Sequence, residues 1–135
     1  QIGRLDLSAR VCLTGEISSA SLVSHYQRAT LFALATRYEG YGLVFDEALL
    51  HGLPILSCEV GAVPQTVPKA ASHLVAPDDP QAFAAALRTL LTRPEKRSQL
   101  SKAAFEAGRA LPDWTGTAQK VSAIISRLQQ SRAVD

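Results

Sequence analysis

Glu39 and Glu47 stand on either side of a glycine pair, Gly40 and Gly42. A carboxylate accepts hydrogen bonds on both oxygens, so it can hold sugar hydroxyls or chelate a vicinal diol such as a ribose. It cannot be there to bind phosphate, because like charges repel. The glycines suit a different task. They strip side-chain bulk from a loop and let a ligand approach the backbone. The amides of Gly42, Leu43 and Val44 would then be the free N–H groups of a helix N-terminus, which stabilise a phosphate or pyrophosphate. Each feature keeps a second reading on these residues alone. The glycines can serve only a tight strand-to-helix turn, and Glu47 can be a helix glutamate facing solvent. Asp46 fits the first-turn preference for acids and reads as structural.

The elements that must carry these residues follow from pattern. LFALAT (31–36) is nearly continuous in apolar residues, as a strand covered on both faces of a parallel sheet is. Leu43 to His51 reads as a helix, stopped by Gly52 with Pro54 just beyond. PILSCEV (54–60) is the next strand, 61–67 a loop or single turn, and HLVAP (73–77) a shorter strand. Upstream, residues 2–10 read as a helix tail and exit loop, and VCLTG (11–15) as a buried strand. Ser18 and Ser19 are N-cap candidates for a helix with Leu22, Tyr26 and Ala29 on one apolar face. Downstream, Asp79 and Pro80 open a helix whose buried stripe is Phe83, Ala86, Leu87, Leu90 and Leu91. Another, begun by Thr92 and Pro94, carries Leu100, Ala103, Ala104, Ala107 and Leu111. A last helix follows Asp113 and presents Trp114, Ala118, Val121, Ile124, Ile125 and Leu128, with fraying from about Gln129.

Strands alternating with helices predict an α/β fold, a three-layer Rossmann-like parallel sheet. Ligands of such sheets bind at the carboxyl ends of the strands. The loop at Glu39 to Gly42 and the loop at Glu59 to Pro64 both open on that edge.

Composition narrows the class. The chain has 135 residues, 47% of them hydrophobic and 19% charged, which suits one globular domain over 1–135. A net charge of +2 with no dense basic run predicts no nucleic-acid and no membrane partner. Cys12 and Cys58 each fall in an expected strand and read as buried free thiols, which makes the cytoplasm the expected compartment. No Cys/His cluster has metal-ligand spacing, so no metal and no cofactor is expected. His25, His51 and His73 lack a triad-like context. His51 suits a helix C-terminus, Trp114 a core anchor, and Arg93, Lys96, Arg97 and Lys102 a solvated basic face.

The run EGYGLVFDEALLHGLPILSCEVGAVP (39–64) resembles the donor-binding segment of family 4 glycosyltransferases and their GT-B relatives. Glu39 and Glu47 match the family's glutamate pair. Ala48, Gly52 and Pro54 match its A-x-x-x-G-x-P turn, and Gly61 and Pro64 its following loop. ARVCLTGEIS, HLVAPDDPQAFAAAL and DWTGTAQKVSAIISRL resemble flanking elements of the same domain. The resemblance implies the partial C-terminal half of a GT-B fold. It also implies transfer of a sugar from a nucleotide diphosphate sugar, UDP- or GDP-linked, to an acceptor hydroxyl with retention, and no metal. Carried onto this chain, Glu39 is the catalytic-site acid that binds the donor sugar. Gly40, Gly42, Leu43 and Val44 hold sugar and diphosphate through the glycine loop, and Glu47 chelates the ribose.

The departures are specific. Gln65 stands where the family usually has Glu, Ala62 replaces a frequent second Gly, and Ala71 and Ser72 lie where a Gly often precedes the next strand. The family's N-terminal domain, two strand–helix units and the Arg and Lys that neutralise the diphosphate have no counterpart here. The chain therefore reads as truncated and inactive by itself. The resemblance places VCLTG and LFALAT as strands 3 and 4 of the order 3-2-1-4-5-6. Either VCLTG must move to pair with LFALAT, or a second copy must supply the edge in a homo-oligomer. Arg37 reads as a salt-bridge or solvent residue. The alternative functions are a non-catalytic nucleotide-sugar-binding or interaction module and an epimerase-like enzyme.

Overall fold

The computed structural model describes residues 1–132. Its centre is a parallel sheet of three strands, β1 (Phe32–Leu34), β2 (Ile55–Cys58) and β3 (Ser72–Val75), in the order β1-β2-β3. The register pairs Phe32 with Ile55 and Ile55 with Ser72. All four residues of β2 are buried, because it lies between two strands and under helices on both faces.

Alternation along β2 divides the core. Ile55 points into a cluster with Phe45, Ala48 and Leu49 of α2 (Leu43–Leu50), Val63 of α3 (Val63–Thr66) and Ala104 of α5 (Pro94–Ala110). Leu56 and Cys58 point into a second cluster with Ala86 and Leu90 of α4 (Pro80–Thr92) and Leu100 of α5. Tyr26 of α1 (Ser19–Arg28) packs on the first cluster. These are the three layers expected. Ser57 is fully buried, and its hydroxyl donates to the Leu34 carbonyl at 2.8 Å, which ties β1 to β2 a second time.

Local chemistry sets the helix ends. The Ser18 hydroxyl accepts from the Ser21 amide at the start of α1. Asp79 Oδ1 accepts from the Ala82 amide at 2.8 Å, with Pro80 at the first position of α4. Arg97 donates to the carbonyls of Leu90 and Leu91 and so caps the end of α4, rather than lying free on a solvated face. Asp113 Oδ1 accepts the Gly116 amide at the start of α6 (Trp114–Arg132).

Several expectations fail, most of them for one reason. Residues 11–15 form no strand. They pair with nothing in the sheet, Leu13 is 81% exposed, and Cys12 is an exposed rather than a buried thiol. VCLTG thus does not move beside LFALAT. Among the described residues β1 pairs only with β2, and Ala33 is exposed, so the strand is not covered on both faces. Residues 2–10 hold a 3₁₀ turn at Gly3–Leu5 in place of a helix tail. Trp114 is 89% exposed, and the apolar stripe of α6 through Val121, Ile124, Ile125 and Leu128 is uncovered. Leu91 is exposed as well. Apolar sequence reports what a segment could bury, while burial needs a neighbour to bury it against. The helix of α6 continues past Gln129 to Arg132, and the expected frayed end beyond that lies outside the described residues.

The frame that holds α2 is tight. Gly108 of α5 lies against the backbone of α2, where a Cβ would collide with Leu49 and come within 2.9 Å of Leu50 Cα. Gly108→Ala must separate the two helices and is expected to cost about 1–3 kcal/mol in urea unfolding. Gly3→Ala, with open space around it, is expected to stay within about 0.5 kcal/mol of the parent.

Candidate functional site

The site forms where β1 ends and α2 begins. Gly42 caps α2 in the left-handed region at φ 82, and its carbonyl accepts the Phe45 amide at 2.8 Å. A side chain here would strike the Phe45 ring, which is fully buried and has no room to retreat. The first amides of α2, at Leu43 and Val44, have no partner inside the helix and carry the positive end of its dipole. Gly40 differs. A Cβ added there meets nothing within 4 Å, and its backbone needs no positive φ. The fold does not require glycine at 40, so the bare surface over it is open to a ligand.

The loop after β2 locks against this one. Gly61 lies in the left-handed region at φ 52, and a Cβ on it would run into the Glu39 carbonyl. That close approach lets the Ala62 amide donate to the Glu39 carbonyl at 3.1 Å. Ala62 itself sits at φ −83, an ordinary helical value, so the absent second glycine does not block the loop. Glu39 is half-buried beside Gly42, with its Cγ 3.1 Å from the position of a Gly42 Cβ. Glu39, Gly42 and Gly61 are thus brought together at the carboxyl edge of the sheet, as ligand sites of such sheets require. Gln65 is exposed on the short helix α3.

Glu47 is not a solvent-facing glutamate. It is half-buried, and its Oε2 accepts the Tyr26 hydroxyl at 2.8 Å. The Tyr26 ring stacks nearly parallel on His51, 5.4 Å between centroids, and on Phe32 at 6.2 Å. Phe32 meets Phe45 edge-on. The phenol is pushed up to about 12, first by burial, then by the hydrogen bond to Glu47 and that group's charge. Tyr26 therefore remains a donor across the whole working range. Sequence pattern places Tyr26 only on the apolar face of α1. The signal available was its residue type, an apolar ring whose hydroxyl must find a partner when covered.

Glu47 also lines a groove of about 650 Å³ between α2 and the start of α6, with Tyr41, Leu43, Asp46, Asp113 and Trp114 among its walls. Asp46 hydrogen-bonds to Tyr41 and pushes that phenol up as well. Among the described residues lining the groove, three are carboxylates and none is Lys or Arg. It suits hydroxyl groups and repels phosphate. On the α4 side of the sheet a cavity of about 440 Å³ is lined by Ala35, Thr36, Cys58 and Phe83, with Arg37 and Asp78 also on its wall. Arg37 Nε donates to Asp78 Oδ1 at 2.6 Å, so of its two expected roles, salt bridge or solvent contact, it takes the first. His73 lies elsewhere, on β3, 3.5 Å from Lys96 Nζ. No group of three or more potential metal ligands occurs among the described residues. No described helix is long and apolar enough to cross a membrane.

A family model, "Glycosyl transferases group 1", matches residues 1–107. The chain belongs to this family. It is 30% identical to a D-inositol 3-phosphate glycosyltransferase of Kineococcus radiotolerans, over 97% of this chain and 32% of that protein. Sucrose-phosphate synthase from Thermosynechococcus elongatus superposes with a TM-score of 0.83 at 29% identity, covering 96% of this chain and 33% of the synthase. Anabaena Alr3699/HepE, solved with UDP and glucose, superposes at 0.80 with 23% identity, a likeness of fold. The group 1 chain described here thus spans about a third of the length of these relatives, and its fold is part of the C-terminal half of the GT-B architecture.

The Tyr26–Glu47 pair makes this group 1 domain sensitive to high pH. The folded phenol keeps its proton to about 12, while an unfolded tyrosine loses it near 10. Stability from the pair is complete below pH 10 and is lost as pH rises through about 12. Urea unfolding of the parent between pH 9 and 12 is expected to weaken more steeply than that of Tyr26→Phe. Parallel slopes would remove the pair from the stability balance.

Proposed function

We propose that this chain supplies part of the donor site of a retaining, hexose-transferring glycosyltransferase that uses a UDP- or GDP-linked sugar. The observation that carries the reading is the meeting of Glu39, the Gly61 loop and the amino end of α2 at the carboxyl edge of the sheet. Membership of the group 1 family supports it. So does HepE, a protein of the same fold whose structure holds UDP and glucose.

In this reading Glu39 accepts hydrogen bonds from the donor sugar's hydroxyls. The surface over Gly40 and the amides of Gly42, Leu43 and Val44 receive the sugar and the diphosphate. Glu47 chelates the ribose hydroxyls. The bond from the anomeric carbon to the diphosphate oxygen breaks, and the diphosphate leaves with the electron pair. The acceptor oxygen attacks from the same face, and its proton passes to the departing phosphate oxygen. Stabilising the leaving diphosphate is the largest electrostatic task. The amides at α2 supply part of that stabilisation. The groove beside Glu47 supplies no cation for this task, since its charged side chains among the described residues are all acids.

Calorimetry of the intact protein with UDP, GDP and their sugar conjugates tests this. Glu47→Ala is expected to abolish nucleotide binding. Gly40→Ala is expected to leave stability within about 0.5 kcal/mol of the parent, since its Cβ meets nothing, yet to weaken binding of the sugar conjugate. Unchanged affinity in Glu47→Ala would remove the ribose assignment. Intact binding without transfer to any hydroxyl acceptor would favour a non-catalytic module.

A further inference from the structure

The hydrogen bond from Tyr26 to Glu47 has no part in the donor site as described above. Its geometry is that of a support. The Tyr26 ring stacks on His51 and on Phe32, and its hydroxyl reaches Glu47 Oε2 at 2.8 Å. Glu47 lines the groove beside α2, and Tyr26 is not among the groove's wall residues. The phenol therefore grips the carboxylate from outside the space a ligand would fill.

A carboxylate has about four acceptor positions. Tyr26 occupies one on Oε2, which leaves Oε1 whole and Oε2 with a second lone pair. Two adjacent acceptors held in a fixed plane are what a vicinal diol needs. An untethered glutamate rotates about three side-chain bonds, and a diol that binds it must first restrict them. Because the acceptor is charged, the tether is among the stronger hydrogen bonds a neutral donor can make.

We infer that Tyr26 is a positioning residue that fixes the plane of the Glu47 carboxylate for the vicinal diol of a nucleotide's ribose, and so sharpens the preference for ribonucleotides over deoxyribonucleotides. This rests on the ribose role proposed for Glu47. The role differs from a purely structural one in a measurable way. A structural residue changes affinity for every nucleotide alike, while a residue that orients the diol acceptor acts only on ligands that have the diol.

Tyr26→Phe keeps the stacked ring and removes only the hydroxyl. In the intact protein, Kd values are measured calorimetrically for UDP, GDP and their 2′-deoxy and 3′-deoxy counterparts, with circular dichroism as the fold check. The expected result is a loss of about tenfold for the ribose forms and little change for the deoxy forms, so that their ratio narrows. Equal losses for both forms, or none, would overturn the proposal, as would a Tyr26→Phe protein that does not fold. Glu47→Ala separates the two levels. If it weakens or abolishes ribonucleotide binding and Tyr26→Phe leaves the parent ratio intact, only the positioning role fails. If Glu47→Ala binds UDP and GDP as the parent does, or the parent shows no ribose preference, the ribose assignment itself fails.

Discussion

The Glu39 carbonyl accepts the Ala62 amide at 3.1 Å, and the approach depends on residue 61 having no side chain. Parallel strands bring two loops to one edge of a sheet, but they do not join them. Here the joint is a single backbone hydrogen bond between the loop after β1 and the loop after β2. It fixes the backbone of Glu39, and with it the direction in which that carboxylate leaves the chain. Gly42, at φ 82 over the buried Phe45 ring, fixes the other side of the same loop. The fold demands glycine at both places. It makes no such demand at Gly40, whose bareness is left for whatever binds.

The charges around α2 divide the site by chemistry. Its amino end presents amides and the positive end of a dipole, which favour an anion. Its flank presents Asp46 and Glu47 to a groove closed by Asp113, which disfavours one. A ligand that spans both must be anionic at one part and hydroxylated at another. A nucleotide diphosphate sugar has that distribution, while inorganic phosphate or a neutral sugar has only half of it. The helix can present both chemistries because its opposite side is anchored. Phe45, Ala48 and Leu49 are buried, and Gly108 lets α5 approach its backbone directly.

Much of this was legible in the sequence, and the reason is local. Gly52 and Pro54 end α2, Asp79 and Pro80 begin α4, and the runs around 31–36, 54–60 and 73–77 contain the three strands. Each signal acts within a few residues of its effect. The glutamates were legible as a spaced pair, while their environments were not. Glu47 keeps two readings in the sequence, a diol-binding acid and a solvent-facing residue, because Tyr26, its partner, lies 21 positions away. VCLTG and Trp114 failed for the complementary reason. Their apolar character describes a capacity for burial, and nothing in the described chain covers them. What sequence pattern does not contain is the identity of the neighbour.

A crystal structure of the intact protein with the UDP- or GDP-sugar it binds tests the central claim most directly. The account predicts both ribose hydroxyls within hydrogen-bond distance of Glu47, the diphosphate at the amides of Leu43 and Val44, and the sugar hydroxyls on Glu39. A nucleotide seated elsewhere, for instance in the cavity beside Cys58 and Phe83 with Glu47 bonded only to Tyr26, would contradict it.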